Sequence, residues 1–328
     1  MAVVIALGID RAIAAPSAGD NSADTPDIAA RLQIIFGSRF EVLQPIAIGG
    51  MATIFQLRHR LHRGLFVAKV LHSRLASKPG IISSFRAEAA HAARLGGHPN
   101  AVPVFDFGEL DGLFFMTMPY IEGEDVDKLI LRTGPLSRDE TLNFAAQISS
   151  LLCFAETAGI VHCDLTPANF RLDIFGRYRL FDFGISHSEA FGAERCFIGG
   201  TPLYTSPEQL RGETPDLRSD LYALGAILAE MLTGKPLFHA ETLDEIDQKH
   251  LNGDWQLPSI VTNDKGIAHL LERLLATRRE DRFQSAFEVS GALDALGFSR
   301  PEFRNNPALH TASKTPVHVI RRTRLSAN

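Results

Sequence analysis

The sequence HCDLTPANF at residues 162–170, followed by FDFG at residues 181–184, decides the fold and the chemistry. It places Asp164, Asn169 and Asp182 in a fixed order with short gaps between them. Mg²⁺ prefers a few hard oxygen ligands and keeps some of its waters, so an aspartate and an asparagine are suitable ligands. The other aspartate would then face the incoming hydroxyl that receives the phosphoryl group. This spacing predicts a site that holds Mg²⁺ on a triphosphate.

Composition narrows the class of protein. The 328 residues are 45% hydrophobic and 22% charged, as in a globular protein with a large core. The formal net charge is -5 and no basic face is visible, so we expect no nucleic-acid partner. The cysteines Cys153, Cys163 and Cys196 have neither a metal-binding spacing nor the pattern of a disulfide framework, which indicates a reducing compartment.

No apolar run approaches the roughly 20 residues that a membrane helix needs. The N-terminal MAVVIALGID is briefly apolar, but Asp10 and Arg11 interrupt it earlier than in a signal peptide. We therefore expect a cytoplasmic chain with no membrane partner.

Hydrophobic periodicity predicts a strand-rich first part and a helical second part. TPDIAARLQIIFG at 25–37 indicates a short helix, SRDE at 137–140 a capping box before a long helix, and SDLYALGAILAEML at 219–232 a buried helix that Asp220 opens. The predicted divisions are a tail with a short helix at 1–36, a first lobe at 37–119, a second lobe at 120–297 and a polar tail at 298–328. The fold class is α+β, with a cleft between the lobes of the kind that binds small molecules.

Two segments of the first lobe carry candidate site residues. In IAIGGMATIF at 46–55, Gly49 and Gly50 form a turn whose amides can approach phosphate oxygens without a Cβ in the way, although an ordinary hairpin has the same pattern. In FVAKV at 66–70, Lys69 interrupts an apolar strand and would pay desolvation unless it is paired. Glu88, on a helix predicted near 80–95, is an available partner.

These segments together resemble the catalytic domain of eukaryotic-like (Hanks-type) serine/threonine protein kinases of bacteria. The resemblance covers residues 40 to about 296 and includes GTPLYTSPE at 200–208 and DRFQSA at 281–286. It implies a bilobal kinase fold and an ion pair between Glu208 and Arg282. These last two segments argue against small-molecule kinases, which share the two lobes.

The resemblance also implies a role for each candidate residue. Lys69 would contact the α- and β-phosphates of ATP, and Glu88 would hold it there. Asp164 would receive or orient the substrate hydroxyl, and Asn169 and Asp182 would ligate Mg²⁺. The implied nucleotide contacts are Ile46, Gly49, Gly50, Ile54, Ala68, Lys69, Met118, Tyr120, Ile121, Asp125 and Arg171.

Four positions depart from the family pattern. Cys163 replaces an arginine that in the family binds a phosphate on the activation loop. Thr166 replaces a lysine that neutralises charge on the γ-phosphate. Thr166 is still counted among the catalytic residues, but it offers a hydroxyl and no charge. Arg171 replaces an apolar residue beneath adenine, where it would either stack on the base or fill the pocket. Ala168 replaces an acid that some kinases use to hold an arginine of the substrate. Asp125 is not itself a departure, but it could contact the ribose or a basic residue of the substrate.

The leading hypothesis is a kinase that uses ATP and Mg²⁺ to transfer the γ-phosphoryl group to a serine or threonine of a protein. Thr201 supports serine/threonine specificity, because the family places a threonine there near the base. The alternative is a pseudokinase that binds a nucleotide or a partner with little or no transfer. A small-molecule kinase is the third hypothesis. The sequence identifies neither the protein substrate nor the oligomeric state.

Overall fold

The computed structural model describes residues 25–110, 112–182 and 202–298. These residues divide into two compact units. The first contains the described residues up to 93 together with 103–110 and 112–120, and the second contains 94–102, 121–182 and 202–298.

The first unit is built on an antiparallel sheet of five strands in the order β1-β2-β3-β5-β4. Its elements are α1 (Thr25–Phe36), β1 (Phe40–Ile48), β2 (Ala52–His59), β3 (Leu65–Leu71), α2 (Pro79–Leu95), β4 (Asp106–Leu110) and β5 (Leu113–Pro119). The helix α2 agrees with the predicted helix near 80–95.

The helix α1 covers one face of this sheet. Its buried side chains Ile28, Leu32 and Phe36 pack into a cluster with seven residues of the strands. Those residues are Phe40, Phe55, Leu57, Ala68, Val70, Leu113 and Phe115. Because successive side chains of a strand point to opposite faces, the face that α1 covers is the one opposite Lys69.

The second unit is mainly helical. Its elements are β6 (Gly123–Asp125), α3 (Val126–Thr133), α4 (Arg138–Thr157), β7 (Phe170–Asp173), β8 (Tyr178–Leu180), α5 (Pro207–Leu210), α6 (Leu217–Thr233), α7 (Leu243–Asn252), α8 (Ser259–Thr262), α9 (Lys265–Leu274) and α10 (Ala286–Ala295). The three strands form a small antiparallel sheet in the order β6-β7-β8. The helix α4 packs against α6 and α10, and α9 packs against α6.

The predicted capping box is confirmed. The Ser137 hydroxyl accepts a hydrogen bond from the Glu140 N–H, and the Glu140 carboxylate accepts one from the Ser137 N–H at 3.0 Å. These bonds satisfy donors that the first turn of a helix leaves without partners. They account for the start of α4 at Arg138.

The buried helix is also confirmed, but its start was wrongly predicted. The helix α6 begins at Leu217, because the carboxylate of Asp216 caps it by accepting a hydrogen bond of 2.9 Å from the Arg218 N–H. Asp220, which was expected to open the helix, lies inside it.

The strand-rich first unit and the helical second unit confirm the α+β fold class. Among the described residues, Cys153 and Cys163 form no disulfide bond, whereas Cys196 lies outside the described residues. Within the described ranges, none of the helices combines the length and the apolar character that crossing a membrane requires.

Candidate active site

Lys69 and Glu88 form the predicted ion pair. The Lys69 Nζ lies 2.6 Å from the Glu88 Oε1, and the two side chains are only 12% and 7% exposed. Burial of either charge alone would be costly, and each one offsets the desolvation of the other. The pair fixes an ammonium group on β3 by means of a carboxylate on α2.

Gly49 and Gly50 lie in the turn between β1 and β2, and β2 pairs with β3, the strand that carries Lys69. The Gly49 N–H donates a hydrogen bond of 2.9 Å to the Ala52 carbonyl, which closes the turn. A Cβ added at Gly49 would meet only that carbonyl, at 3.5 Å, so the packing of the chain does not demand a glycine there. The space that a side chain would fill is open, which suits the close approach of a phosphate.

The strand register places some predicted nucleotide contacts beside Lys69 and excludes one. Ile54 on β2 lies directly opposite Lys69, and Met118 on β5 lies opposite Val67. Ala68 was wrongly assigned: it packs in the α1 cluster, on the face opposite Lys69. Val67, which is 6% exposed, shares the face of Lys69. The strict alternation of strand residues could have identified Val67 from the sequence.

Three other predicted contacts lie on β1 or in the segment that follows β5. Ile46 on β1 is 42% exposed. Tyr120 follows β5 and donates its backbone N–H to the Leu65 carbonyl at 3.2 Å. Ile121 is partly buried and is the first residue of the 121–182 segment in the second unit.

In the second unit, a buried carboxylate holds the backbone just before Asp164. The two oxygens of Asp220 accept hydrogen bonds from the His162 and Cys163 N–H groups, each at 2.8 Å. Cys163 has a φ of 66°, a left-handed conformation that is uncommon for a residue with a side chain. Asp220 therefore stabilises the strained turn that presents Asp164. Burial raises the pKa of Asp220 to about 7, although the two N–H bonds act to lower it.

The candidate Mg²⁺ ligands are joined through the backbone. The Asn169 side-chain amide donates to the Asp164 carbonyl at 2.7 Å, and the Asn169 carbonyl accepts from the Phe181 N–H at 2.8 Å. Asp182 follows Phe181 and has a φ of 47°, which aspartate tolerates better than most residues. The hydrogen bond through its amide nitrogen orients Asn169, and an amide oxygen and a carboxylate are donors that fit Mg²⁺.

Arg171 forms an ion pair that the sequence did not suggest. It lies opposite Asp125 in the pairing of β6 with β7, and its Nε is 3.1 Å from the Asp125 Oδ1. Asp125 also contacts Lys128. The sequence left two roles open for Arg171, stacking on a base or filling a pocket, and it named no carboxylate partner. The structure gives it a carboxylate instead.

Glu208 and Arg282 form the ion pair that the sequence resemblance implied. Two parallel hydrogen bonds of 2.8 Å join them, and their side chains are 2% and 0% exposed. Ser219 donates to the same carboxylate at 2.6 Å. The hydrogen bonds and charge of Arg282 outweigh the effect of burial and hold the pKa of Glu208 below its ordinary value. Thr201 lies outside the described residues.

A family model described as "Protein kinase domain" matches residues 40–290. The chain belongs to the protein kinase family. The resemblance to bacterial serine/threonine kinases is thereby confirmed, and individual relatives agree with it.

This kinase-family chain is 33% identical over 298 residues to serine/threonine-protein kinase pkn3 of Myxococcus xanthus, with 86% of this chain and 54% of the relative covered. It is 36% identical over 275 residues to serine/threonine-protein kinase PrkC of Bacillus subtilis, covering 81% and 42%. It is 33% identical over 268 residues to serine/threonine-protein kinase PknB of Mycobacterium tuberculosis, covering 78% and 42%. The chain thus spans about half the length of these relatives, or less.

One departure from the kinase pattern lies close to the candidate base. Thr166 is 6% exposed and stands at the start of the 3₁₀ turn Pro167–Asn169, where its carbonyl accepts the Asn169 N–H at 3.0 Å. It is a neutral residue in a position where the family has a cation. Thr166 therefore helps to shape the turn of Asn169 and supplies no positive charge.

Proposed function

We propose that this chain is an ATP- and Mg²⁺-dependent serine/threonine protein kinase that transfers the γ-phosphoryl group to a protein hydroxyl. The buried Lys69–Glu88 pair is the observation that carries the proposal. Phosphoryl transfer depends mainly on positioning and charge neutralisation, and a desolvated ammonium held by a carboxylate is suited to both. Family membership and the names of the relatives support the same activity.

In this proposal most contacts to the nucleotide come from the first unit, and Ile121 adds one from the second unit. Lys69 binds the α- and β-phosphates, and Glu88 holds its ammonium in place. The backbone amides of the Gly49–Gly50 turn donate to phosphate oxygens. The remaining contacts come from Ile46, Ile54, Val67, Met118, Tyr120 and Ile121, with Val67 replacing Ala68.

The second unit supplies the groups for the reaction itself. Asp164 orients the acceptor hydroxyl and takes its proton, while Asp220 keeps the preceding backbone in its strained conformation. Asn169 and Asp182 would hold Mg²⁺, which when bound neutralises charge on the phosphates. Arg171 keeps Asp125 engaged, so Asp125 is proposed to act in the ion pair rather than as a ribose contact.

The proposal assigns residues 37–119 and 120–297 to the two lobes of one kinase domain, flanked by 1–36 and 298–328. It assigns the chain to the cytoplasm, where ATP is available, with a protein as substrate and no nucleic-acid partner.

A nucleotide-binding module without transfer is the second candidate. The observation that favours it is Thr166, which is buried and uncharged where the family has a lysine. Loss of one preorganised charge lowers a rate by about 10²–10³ in comparable sites, so slow transfer and none are both compatible with this residue.

The test is a phosphorylation assay with labelled ATP, Mg²⁺ or Mn²⁺, and a generic acceptor protein, followed by mapping of the modified residues. We expect label on serine or threonine with the wild type and none with Lys69→Met. Lys235→Met is the control, because Lys235 is an exposed lysine of the second unit. Labelling by Lys69→Met equal to wild type would contradict the assigned phosphate contact. Nucleotide binding without any transfer by the wild type would favour the binding module.

A further inference from the structure

The segment that follows β3 reaches back to the β1–β2 turn. The Arg74 Nη2 donates to the Gly50 carbonyl at 2.7 Å, and the His72 N–H donates to the next carbonyl, that of Met51, at 2.9 Å. The His72 Nε2 also lies 3.0 Å from the Thr53 Oγ1, and both side chains are buried. Three contacts, at Gly50, Met51 and Thr53, therefore attach the turn to this segment.

We propose that His72 and Arg74 form a loop clamp that positions the backbone amides of the turn for a polyphosphate. The inference rests on the proposed nucleotide-binding function. It gives the exposed Arg74 a positioning role in the binding of ATP. No pattern of sequence spacing indicated this role, because the contact joins a side chain that follows β3 to a carbonyl of the β1–β2 turn, 24 residues earlier.

The geometry of the peptide bond explains how the clamp acts. In a trans peptide the C=O and the N–H point in opposite directions, and the described residues contain no cis peptide. When the clamp binds the carbonyls of Gly50 and Met51, it directs the N–H groups of Met51 and Ala52 away from itself. Successive N–H groups aimed to one side are the donors with which a backbone binds phosphate.

The hydrogen bond between Arg74 and the Gly50 carbonyl is expected to contribute little to the free energy of unfolding of the whole domain. Arg74 is an exposed side chain, and its hydrogen bond to the Gly50 carbonyl is also exposed, so the contact lies outside the packed core. Its effect is therefore expected on the local conformation of the turn. A turn that is already ordered loses less conformational freedom when a ligand binds, which favours binding.

The chain contains a matched control for this contact. The Arg60 Nε donates to the Gly37 carbonyl at 2.7 Å, so it is another exposed arginine that binds a glycine carbonyl in the first unit. We compare Arg74→Met, Arg74→Lys and Arg60→Met with the wild type. Methionine keeps an apolar stem without a donor, whereas lysine keeps a donor.

The first readout is amide hydrogen exchange of peptides that cover residues 46–55, measured without nucleotide. Arg74→Met is expected to exchange about threefold to tenfold faster, the range that corresponds to the loss of one hydrogen bond. Arg60→Met is expected to exchange like the wild type in these peptides, and Arg74→Lys to recover most of the protection. Unchanged exchange in Arg74→Met, or an equal increase in both methionine variants, would overturn the clamp.

The second readout is binding of Mg²⁺-ATP, by calorimetry, with KM and kcat measured where turnover is found. We expect Arg74→Met to bind Mg²⁺-ATP about threefold to tenfold more weakly, the same factor as for exchange. The variant should also have a higher KM for ATP, while its kcat stays near the wild-type value. A wild type that binds no nucleotide would refute the proposed function, while the exchange experiment would still test the clamp. Faster exchange of the turn with unchanged ATP affinity would overturn the positioning role.

Discussion

Removal of Arg282 is predicted to destabilise the second unit strongly. Arg282 donates five hydrogen bonds, two to the Glu208 carboxylate and three to backbone carbonyls. Both members of the pair are almost fully buried. Arg282→Met leaves the carboxylate charged, with Ser219 as its remaining side-chain donor. Breaking a buried pair in this way costs about 3–5 kcal/mol, because the charge left behind is neither hydrated nor neutralised.

The assay is urea unfolding followed by the fluorescence of Trp255. Trp255 is the single tryptophan of the chain and lies in the second unit, so its signal reports the unit that contains the pair. Arg132→Met is the matched control, because Arg132 also makes a bidentate contact, with Glu124, but at an exposed site. We expect the control to unfold close to the wild type.

The double variant Glu208→Gln/Arg282→Met isolates the buried charge. The double variant has no carboxylate at position 208 and therefore no unpaired buried charge there. It is expected to be more stable than Arg282→Met alone, even though it carries one more substitution. The reasoning is refuted if the double variant loses the sum of the two single effects. It is also refuted if Arg282→Met unfolds at the same urea concentration as the Arg132→Met control.

The pH dependence supplies a second check with a definite sign. In the wild type the pKa of Glu208 is lowered, so its contribution is present above the ordinary glutamate pKa and disappears as the pH falls through the folded value. In Arg282→Met the contacts of Arg282 no longer lower the pKa of Glu208, so burial of the carboxylate raises it. The variant is then expected to lose stability relative to the wild type as the pH rises above about 4.3. A constant difference between pH 5 and pH 8 would contradict this explanation.

Three further predictions concern the candidate site. Asp220→Ala leaves one buried and one partly buried N–H group without their acceptor and should lower the unfolding free energy by about 1–3 kcal/mol, measured by Trp255 fluorescence. An unchanged urea midpoint would argue against the anchoring role of Asp220. Asp182→Asn removes a negative ligand and should abolish the Mg²⁺ dependence of nucleotide binding in calorimetry, so retained dependence would exclude Asp182 as a metal ligand. Arg171→Leu should leave ATP affinity near the wild-type value, because Asp125 already binds the guanidinium; a large gain in affinity would show that Arg171 obstructs the nucleotide.

The sequence was most informative where a local rule or a strong physical cost applies. A lysine in a buried strand needs an anion, and this requirement together with the family pattern identified Glu88. A serine three residues before a glutamate identified the start of α4. The Glu208–Arg282 pair followed from the family resemblance, and the structure shows the two parallel hydrogen bonds that give it a fixed geometry.

The errors arose where the direction of a side chain or a distant contact decides the outcome. Ala68 was included with Lys69 among the nucleotide contacts that the resemblance implies, but adjacent strand residues face opposite ways. Asp220 was assigned to a helix start, whereas its carboxylate binds a backbone N–H 58 residues away. The ion pair of Arg171 depends on the register of two short strands, which no spacing in the sequence expresses.

The position of α1 has a consequence for the smallest piece of this chain that can fold. The family match begins at Phe40, after the last residue of α1, yet Ile28, Leu32 and Phe36 belong to the core of the first unit. A truncation at Phe40 would expose the hydrophobic face of the sheet that α1 covers, and this exposure would promote aggregation. The core of the first unit therefore begins before the family match, and shortened versions of the chain should keep residues 25–36.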